Sequence, residues 1–235
     1  MKLNKTIYNI LAIIPARIGS KGLKHKNLLK IGNKELVQHA IDQCKQSKLI
    51  NSIAMSTDSK KIQNIAKKNN VWCEKLRSKK NSNDTAKLYH AIKFAINNID
   101  KKFDFIVEIH PTYIFRSPKL IDQAINFLIN NKNLDSIISV KEIKDTSHPD
   151  YVIKINNKKI NFKKTPTVFN RHKLNKRYCS MGLILISKYK SFIKNKSMVG
   201  NSCGGFIIKN NLPCLDINNI DEFKYAKYIY ENKVE

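Results

Sequence analysis

The strongest constraint in the sequence is a short apolar run near its N-terminus that leads straight into a loop of small and cationic residues. Residues 10–14 (ILAII) are apolar and mostly β-branched, which predicts a buried strand that ends at Pro15. A helical pattern of apolar residues follows from about Lys34. The loop between them contains Arg17, Gly19, Ser20, Lys21, Gly22, Lys24 and Lys26. The chain therefore begins with a strand, a cationic loop and a helix.

This loop is suited to a polyphosphate. Ligands of open α/β sheets bind beyond the carboxyl ends of the strands, and glycines let backbone N–H groups approach phosphate oxygens. An arginine can donate to two oxygens at once, and lysines act as point charges. The loop has neither the Walker A pattern nor the Gly-x-Gly-x-x-Gly dinucleotide pattern. From composition alone, a solvated basic loop is the alternative interpretation.

The rest of the chain alternates short apolar strands with amphipathic helices. This alternation predicts an α/β fold, with a mainly parallel sheet and helices on both faces. No repeat or linker divides the sequence, so we expect one domain over residues 1–235. Strands are expected at residues 52–57, 71–74, 103–109, 135–141 and 181–187, and a hairpin at 151–162 that turns at Asn156-Asn157. Helices are expected at 35–46 and 85–99, after Asp58 or Ser59, after Ser117, and from Asp221.

Composition excludes some classes of protein. The sequence has no apolar stretch of membrane length and no secretory leader pattern, so we expect a cytoplasmic protein without a membrane partner. Its five cysteines are scattered without zinc spacing, which favours reduced thiols. The formal net charge of +26 raises the question of a nucleic-acid partner. The lysines are spread along the whole chain, however, which argues against a specific nucleic-acid partner; a basic surface would still attract small anions.

Residues 13–27 (IIPARIGSKGLKHKN) add a specific signal. They resemble the N-terminal signature of the acylneuraminate cytidylyltransferases, or CMP-N-acetylneuraminate synthetases, which reads roughly I-I-P-A-R-G-G-S-K-G-x-x-x-K-N. Ile18 replaces the frequent glycine. The resemblance implies a three-layer, Rossmann-like nucleotide-diphospho-sugar transferase fold and a loop that holds the CTP triphosphate. The nucleotide-binding residues implied here are Arg17, Gly19, Ser20, Lys21, Lys26 and Asn27.

Four further segments match the family in order along the chain. Residues 77–86 resemble R-P-x-x-L-(A/S)-x-D-T-A, which implies that Arg77, Asn83 and Asp84 contact the cytosine base and the nucleotide. Residues 110–116 (HPTYIFR) resemble Q-P-T-S-P-L-R, with a histidine in place of the glutamine that lies by the sugar. Residues 56–58 match a Ser-Thr-Asp of the family, but helix capping explains them equally well and they are left out of the site. The implied sugar-binding residues are His110, Thr112, Arg116 and Arg171.

The last matching segment, residues 212–218, resembles the final strand of the family, which usually ends in Asp-Ile-Asp. Two carboxylates two apart on a strand project to one side and suit Mg²⁺. Here Asp216 keeps the first position and Asn218 takes the second. An amide oxygen can ligate a cation but brings no charge, so we expect a metal site of Asp216 and Asn218 that binds Mg²⁺ more weakly. We expect Arg17, Lys26 and Asp216 to be the catalytic residues.

The resemblance implies the reaction of CTP with an acidic nine-carbon sugar of the sialic acid type, giving a CMP-sugar and pyrophosphate. It also implies a homodimer, because the family packs a β-hairpin excursion, here at about residues 145–175, on a second subunit. Two alternatives stay open. One is activation of another acid sugar, such as a legionaminic, pseudaminic or octulosonic acid. The other is a drifted, inactive homologue that binds nucleotide or nucleic acid.

Overall fold

A computed structural model gives the fold of the protein and describes most of the chain. The described residues are 8–19, 22–78, 88–144, 147–161, 175–209 and 213–232. Among the helices of these ranges, none has the length and apolar character that crossing a membrane requires.

The architecture is a six-stranded central sheet with two small antiparallel pairs. The central sheet has the order β10-β6-β9-β5-β1-β4, and β2 pairs with β3 and β7 with β8. The strands are β1 (Ile10–Pro15), β2 (Lys30–Ile31), β3 (Lys34–Glu35), β4 (Ser52–Ser56), β5 (Phe105–Glu108), β6 (Ser136–Glu142), β7 (Lys154–Asn156), β8 (Lys159–Asn161), β9 (Tyr178–Lys188) and β10 (Cys203–Ile207).

The central sheet is mainly parallel, as predicted. β1 runs parallel to both β4 and β5, and β10 runs parallel to β6. β9 lies between β5 and β6 and is antiparallel to both. The carboxyl ends of β1, β4 and β5 therefore lie at one edge of the sheet, where a ligand of an open α/β sheet is expected.

Helices cover both faces, which gives the three layers that the sequence predicts. They are α1 (Leu36–Gln46), α2 (Lys60–Lys68), α3 (Leu88–Ile96), α4 (Pro118–Asn130), α5 (Tyr189–Asn195) and α6 (Ile220–Asn232). Alternate residues of β1 face opposite layers: Ile10, Ala12 and Ile14 pack with α1, α2 and α4, whereas Leu11 and Ile13 pack with α3 and α5. Burial on both sides explains why β1 is continuously apolar.

Two helix starts follow the predicted capping chemistry. The Ser59 hydroxyl accepts a hydrogen bond from the Ile62 N–H at 3.4 Å and begins α2. The Ser117 hydroxyl accepts from the Leu120 N–H at 3.2 Å, and Pro118 occupies the first turn of α4. A side-chain oxygen at this position satisfies one of the free backbone N–H groups of the first turn.

Three details differ from the predictions. Residues 71–74 form no strand; Trp72 makes only an isolated bridge to Ala54. Residues 213–218, predicted as a final strand, are irregular. The hairpin of β7 and β8 turns one residue later than predicted, at Asn157 and Lys158, whose φ angles are 48° and 65°. Two successive residues with positive φ are what a tight hairpin turn requires, and asparagine tolerates this conformation well.

Candidate functional site

The loop after β1 is fastened to the carboxyl end of β4. The Ala16 N–H donates to the Ser56 carbonyl at 2.9 Å, and the Ile18 N–H donates to Asp58 Oδ1 at 2.8 Å. The Arg17 carbonyl accepts from the side-chain amide of Asn27 at 2.8 Å. These three bonds fix the loop where β1 and β4 end. They give Asp58 and Asn27 a structural role in holding the loop.

A segment near the C-terminus, residues 213–219, packs against this loop; we call it the Asp216 segment. The Lys26 amine donates to Asn218 Oδ1 at 2.9 Å. Gly22 lies so close to the Asn218 carbonyl that a Cβ atom there would clash with it. The Ile217 N–H donates to the Thr112 carbonyl at 3.3 Å, which ties the segment to the end of β5. The two ends of the chain therefore meet at one edge of the sheet.

The charges of this edge act on one another. Burial lowers the pKa of the Lys26 amine below its ordinary value. The negative charges of Asp216 and Glu222 oppose that shift, and the positive charge of Arg17 adds to it. The structure thus brings together Arg17, Lys26 and Asp216, the three predicted catalytic residues. Their assembly creates a partly buried cationic site beside a carboxylate, an arrangement suited to a phosphate and its counter-ion.

Asp216 has a carboxylate oxygen that suits a cation. Its Oδ1 atom is buried and has no hydrogen-bond partner among the described residues. Burial raises the pKa of the adjacent Tyr113 hydroxyl, and the charge of Asp216 raises it further. No group of three or more His, Cys, Asp or Glu residues that could hold a metal occurs in the described ranges. Asp216 therefore fits Mg²⁺ as a single carboxylate ligand that needs phosphate oxygens to complete the shell.

Asn218, the second predicted metal ligand, is placed differently from expectation. Its side-chain oxygen accepts from Lys26, and its backbone N–H donates to Glu222 at 2.6 Å. The oxygen that would bind Mg²⁺ is thus already engaged by a cation. Since the segment is irregular, the side-by-side projection expected of a strand does not apply.

Arg116, predicted to contact the sugar, lies in the core instead. Its side chain is only 1% exposed and donates to the Leu183 carbonyl and to Gln43 Oε1, each at 2.7 Å. A weaker bond of 3.3 Å reaches the His110 carbonyl. Burial lowers the pKa of this guanidinium to about 10. Arg116 therefore joins β9, α1 and the end of β5, and offers no surface to a substrate.

The remaining described residues of the predicted site lie around the same edge. Arg77 is buried, and its N–H donates to the Thr57 carbonyl at 2.7 Å. Burial lowers the pKa of Arg77, against the opposing charge of Asp58 and with a further lowering by Arg17. Thr112 is buried, and Gly19 is exposed with open space where a Cβ would be. The other predicted residues, Ser20, Lys21, Asn83, Asp84 and Arg171, lie outside the described residues.

Sequence reasoning missed two acidic residues of this edge. Glu222 accepts from the Asn218 and Asn219 N–H groups at 2.6 and 3.1 Å, and its own N–H donates to Asn219 Oδ1 at 2.9 Å. This reciprocal pattern is a capping box, and the Asn-x-x-Glu spacing would have predicted it. Glu108 lies at the end of β5 with 1% exposure, in contact with His110. A lone glutamate in an apolar strand was its signal.

Comparison with known proteins identifies the family. A model of the cytidylyltransferases matches residues 11–230, nearly the whole chain. The chain belongs to the cytidylyltransferase family. This membership confirms the recognition and the nucleotidyltransferase class predicted from the N-terminal signature.

Among curated relatives, the CMP-N,N'-diacetyllegionaminic acid synthase of Legionella pneumophila is 31% identical over 229 residues, covering 94% of this chain and 96% of that protein. The N-acylneuraminate cytidylyltransferase of Streptococcus agalactiae is 26% identical over 237 residues, covering 95% of this chain. The match covers 56% of that relative's length.

A solved structure supports the α/β fold of the cytidylyltransferase. It is that of a CMP:2-keto-3-deoxy-manno-octonic acid synthetase in complex with CTP. The two match with a TM-score of 0.68 over 96% of this chain and 100% of the other. At 12% sequence identity, the match establishes the fold alone.

Proposed function

We propose that the protein transfers a cytidylyl group from CTP to an acidic nine-carbon sugar, with release of pyrophosphate. The observation that carries the proposal is the meeting of Arg17, Lys26 and Asp216 at one edge of the sheet, although Lys26 and Asn218 are 192 positions apart in sequence. Family membership supplies the reaction class, and this cluster of charges supplies a place for the triphosphate.

In the proposed complex the triphosphate lies along the loop after β1. Arg17 and Lys26 neutralise charge that develops on the phosphates as a sugar hydroxyl attacks the α-phosphorus. Such transfers need little covalent help from the protein, so positioning and charge stabilisation account for most of the rate. Ser20, Lys21 and Asn27 complete the nucleotide loop, and Arg77, Asn83 and Asp84 serve the base and ribose end in this proposal.

Asp216 would hold a magnesium ion. Its buried, unpartnered oxygen supports this role, because a carboxylate in such a position favours a bound cation. A bound Mg²⁺ would neutralise phosphate charge and orient the leaving pyrophosphate. Lys26 shares that task, since it lies beside the same carboxylate.

The identity of the sugar divides into two proposals of one class. The sialic acid type fits the sequence signature and a 26% identical relative. A di-N-acetylated sugar such as legionaminic acid fits the 31% identical relative and the replacement of glutamine by His110. The names of these two relatives indicate that their acids differ in their acylamido groups. We favour the di-N-acetylated acid, because His110 stands where the sialic acid pattern has a glutamine beside the sugar.

A homodimer is part of the proposal. Three apolar side chains near the hairpin of β7 and β8 are exposed: Val152 at 62%, Ile153 at 42% and Ile155 at 63%. Neighbouring exposed apolar residues on an excursion from the main sheet are typical of a surface that a second subunit covers. The predicted contribution of Arg171 to a shared site belongs to this dimer.

A substrate panel tests the proposed function. Purified protein, CTP and Mg²⁺ are incubated with N-acetylneuraminic, N,N'-diacetyllegionaminic, pseudaminic and 3-deoxy-octulosonic acids, and pyrophosphate is measured. We expect the highest kcat/KM with the di-N-acetylated acid. Replacing CTP with UTP or ATP is the control for the nucleotide.

Two outcomes would contradict the proposal. If none of the acids led to release of pyrophosphate from CTP, the sugar assignment would be wrong. If the same protein also bound random DNA with strong salt dependence, the alternative of an inactive, nucleic-acid-binding homologue would replace it.

A further inference from the structure

A buried carboxylate lies at the carboxyl end of β5, where the rest of the strand is apolar. The Glu108 side chain is 1% exposed, and the strand residues before it are Phe105, Ile106 and Val107. In the sheet, Glu108 lies opposite Ile13 of β1 and Leu185 of β9. An ionised carboxylate in such surroundings is strongly destabilising unless a partner compensates for its lost hydration. The fold itself gives no reason for a glutamate here.

The partner is His110, two residues further on. Its Nε2 atom contacts Glu108 Oε1, and its side chain is 35% exposed, so the imidazole lies between the buried carboxylate and solvent. The second oxygen, Oε2, is buried and has no hydrogen-bond partner among the described residues. Among the described residues, the Glu108 carboxylate is therefore paired with a single imidazole, that of His110.

This contact determines the chemistry of the ring. An ionised carboxylate only accepts hydrogen bonds, so with Glu108 ionised Nε2 carries the proton that lies between the two groups. In neutral His110 the lone pair is then on Nδ1, the ring nitrogen that remains to accept a proton. When Nδ1 takes up a proton, the carboxylate stabilises the resulting imidazolium. A base oriented by a third group is the usual way proteins prepare a histidine for proton transfer.

His110 also lies at the edge of the sheet that carries the triphosphate loop. The Ile109 N–H donates to the Ile13 carbonyl at 2.9 Å, so β5 reaches its end beside β1. Two residues after His110, the Thr112 carbonyl accepts from Ile217 in the Asp216 segment. His110 thus lies in the chain between two positions, Ile109 and Thr112, whose backbones bond β1 and the Asp216 segment.

We propose that His110 accepts the proton of the attacking sugar hydroxyl and that Glu108 is the residue that positions it; this rests on the proposed function. The hydroxyl O–H bond breaks and its proton goes to Nδ1. The oxygen electron pair forms the bond to the α-phosphorus. The bond from that phosphorus to the bridging oxygen breaks, and its electrons leave with pyrophosphate. The imidazolium then returns its proton to water.

Kinetics of His110→Gln provide the first test, with the acid that gives most pyrophosphate in the panel. Glutamine retains hydrogen bonding to a sugar but cannot take up a proton. We expect kcat to fall about 10²-fold with little change in the KM for CTP, since general-base catalysis typically contributes this much. His90→Gln, an exposed histidine on α3, is the matched control and should keep wild-type kcat.

The tautomer provides a second test that does not depend on activity. In ¹⁵N-histidine-labelled protein, the His110 imidazole should show a protonated Nε2 and an unprotonated Nδ1 at pH 8. Glu108→Gln should disturb that assignment and lower kcat, because the amide can also donate to the ring. Circular dichroism checks that this buried variant folds; if it does not, His110→Gln and the wild-type spectrum still decide the matter.

The proposal is overturned if His110→Gln retains kcat within threefold, which would make His110 a sugar contact only. It is also overturned if the wild-type ring carries its proton on Nδ1. Pyrophosphate release by the wild-type protein separates these failures from failure of the proposed function, since absence of product from every sugar would remove both.

Discussion

The Lys26 amine donates to the side-chain oxygen of Asn218 at 2.9 Å, which joins residues 192 positions apart. The same amine experiences the opposing charges of Asp216 and Arg17. This contact connects the loop after β1 to the Asp216 segment, so the cation proposed for the triphosphate and the carboxylate proposed for Mg²⁺ are held in one place. Several consequences of this geometry can be measured.

Asn218→Asp should strengthen Mg²⁺ binding. The substitution adds a negative charge close to Asp216, but Lys26 will pair with part of it. We expect the Mg²⁺ concentration for half-maximal rate to fall about fivefold, equivalent to roughly 1 kcal/mol. The measurement is a Mg²⁺ titration of pyrophosphate release.

Asn219→Asp is the matched control, since it adds the same charge one residue away at the N-cap of α6. It should leave the titration nearly unchanged. Equal effects of the two variants would indicate a general electrostatic influence and would argue against a metal beside residue 218.

Arg17→Ala should lower turnover without unfolding the protein. Arg17 is partly buried within the charge cluster, whereas Lys24, in the same loop, is exposed. Loss of a cation that stabilises transition-state charge typically lowers kcat about 10²-fold or more. Lys24→Ala should change kcat by less than threefold. The assay is steady-state kinetics with CTP varied. Similar losses of kcat in both variants would indicate that the loop acts only as a diffuse basic surface.

Lys26→Ala should produce a loss of kcat at least as large as that of Arg17→Ala. It also removes the bond to Asn218, so the Asp216 segment loses one of its attachments. Lys26→Arg retains the charge and distinguishes the two effects: recovery of stability without recovery of kcat would indicate a specific requirement for the amine. Wild-type turnover in Lys26→Ala would exclude a triphosphate role.

Gly22 and Gly19 should respond differently to a methyl group. A Cβ at Gly22 would clash with the Asn218 carbonyl, a backbone atom that moves only with its segment. A Cβ at Gly19 would enter open space. We expect Gly22→Ala to lower the melting temperature by several degrees, for a free-energy change of about 1–3 kcal/mol, and Gly19→Ala to leave it unchanged.

The same pair of variants also reports on the nucleotide. If the triphosphate lies against Gly19, then Gly19→Ala should raise the KM for CTP although its stability is normal. An unaltered KM in Gly19→Ala would mean that the phosphates follow another part of the loop. Differential scanning fluorimetry without ligand and kinetics with CTP give the two readouts.

Local patterns in the sequence were sufficient to predict much of the fold. The apolar run of β1 and the serine caps of α2 and α4 each depend on residues a few positions apart, which is why they could be predicted. The N-terminal signature likewise lies in one short stretch of chain.

The predictions from which the structure departs concern residues whose contacts are distant in sequence. Arg116 was predicted to contact the sugar, but its hydrogen-bond partners Leu183 and Gln43 are 67 and 73 positions away. The amide of Asn218 was assigned to a metal because its contact with Lys26 is invisible in the sequence. Residues 213–218 were predicted as a strand, although they pair with none of the strands in the part of the chain that the structure describes. Tertiary context determined all three.

Arg116→Met should destabilise the protein rather than weaken sugar binding. The substitution removes buried hydrogen bonds to the Leu183 carbonyl and Gln43 Oε1 and so takes a donor away from each acceptor. We expect a loss of about 3 kcal/mol in the free energy of unfolding, measured with urea. Lys119→Met, at an exposed position on α4, is the control and should stay within about 0.5 kcal/mol of wild type. A stable Arg116→Met variant with a raised KM for the sugar would restore the substrate role.

Cysteine reactivity should separate buried from exposed thiols. Burial raises the pKa of Cys44 to about 12 and that of Cys73 to about 11, so at pH 8 almost none of either thiol is present as the reactive thiolate. Cys179 and Cys203 are exposed, whereas Cys214 is half-buried and burial raises its pKa as well. Ellman's reagent should therefore react rapidly with two thiols of the folded protein, and Cys179→Ser and Cys203→Ser should each remove one of them. Raising the pH to 9 should not make Cys44 reactive, because its pKa remains far above that value. Rapid labelling of Cys44 in the folded protein would contradict the packing of α1 against the sheet, since that helix would have to leave the core to expose it.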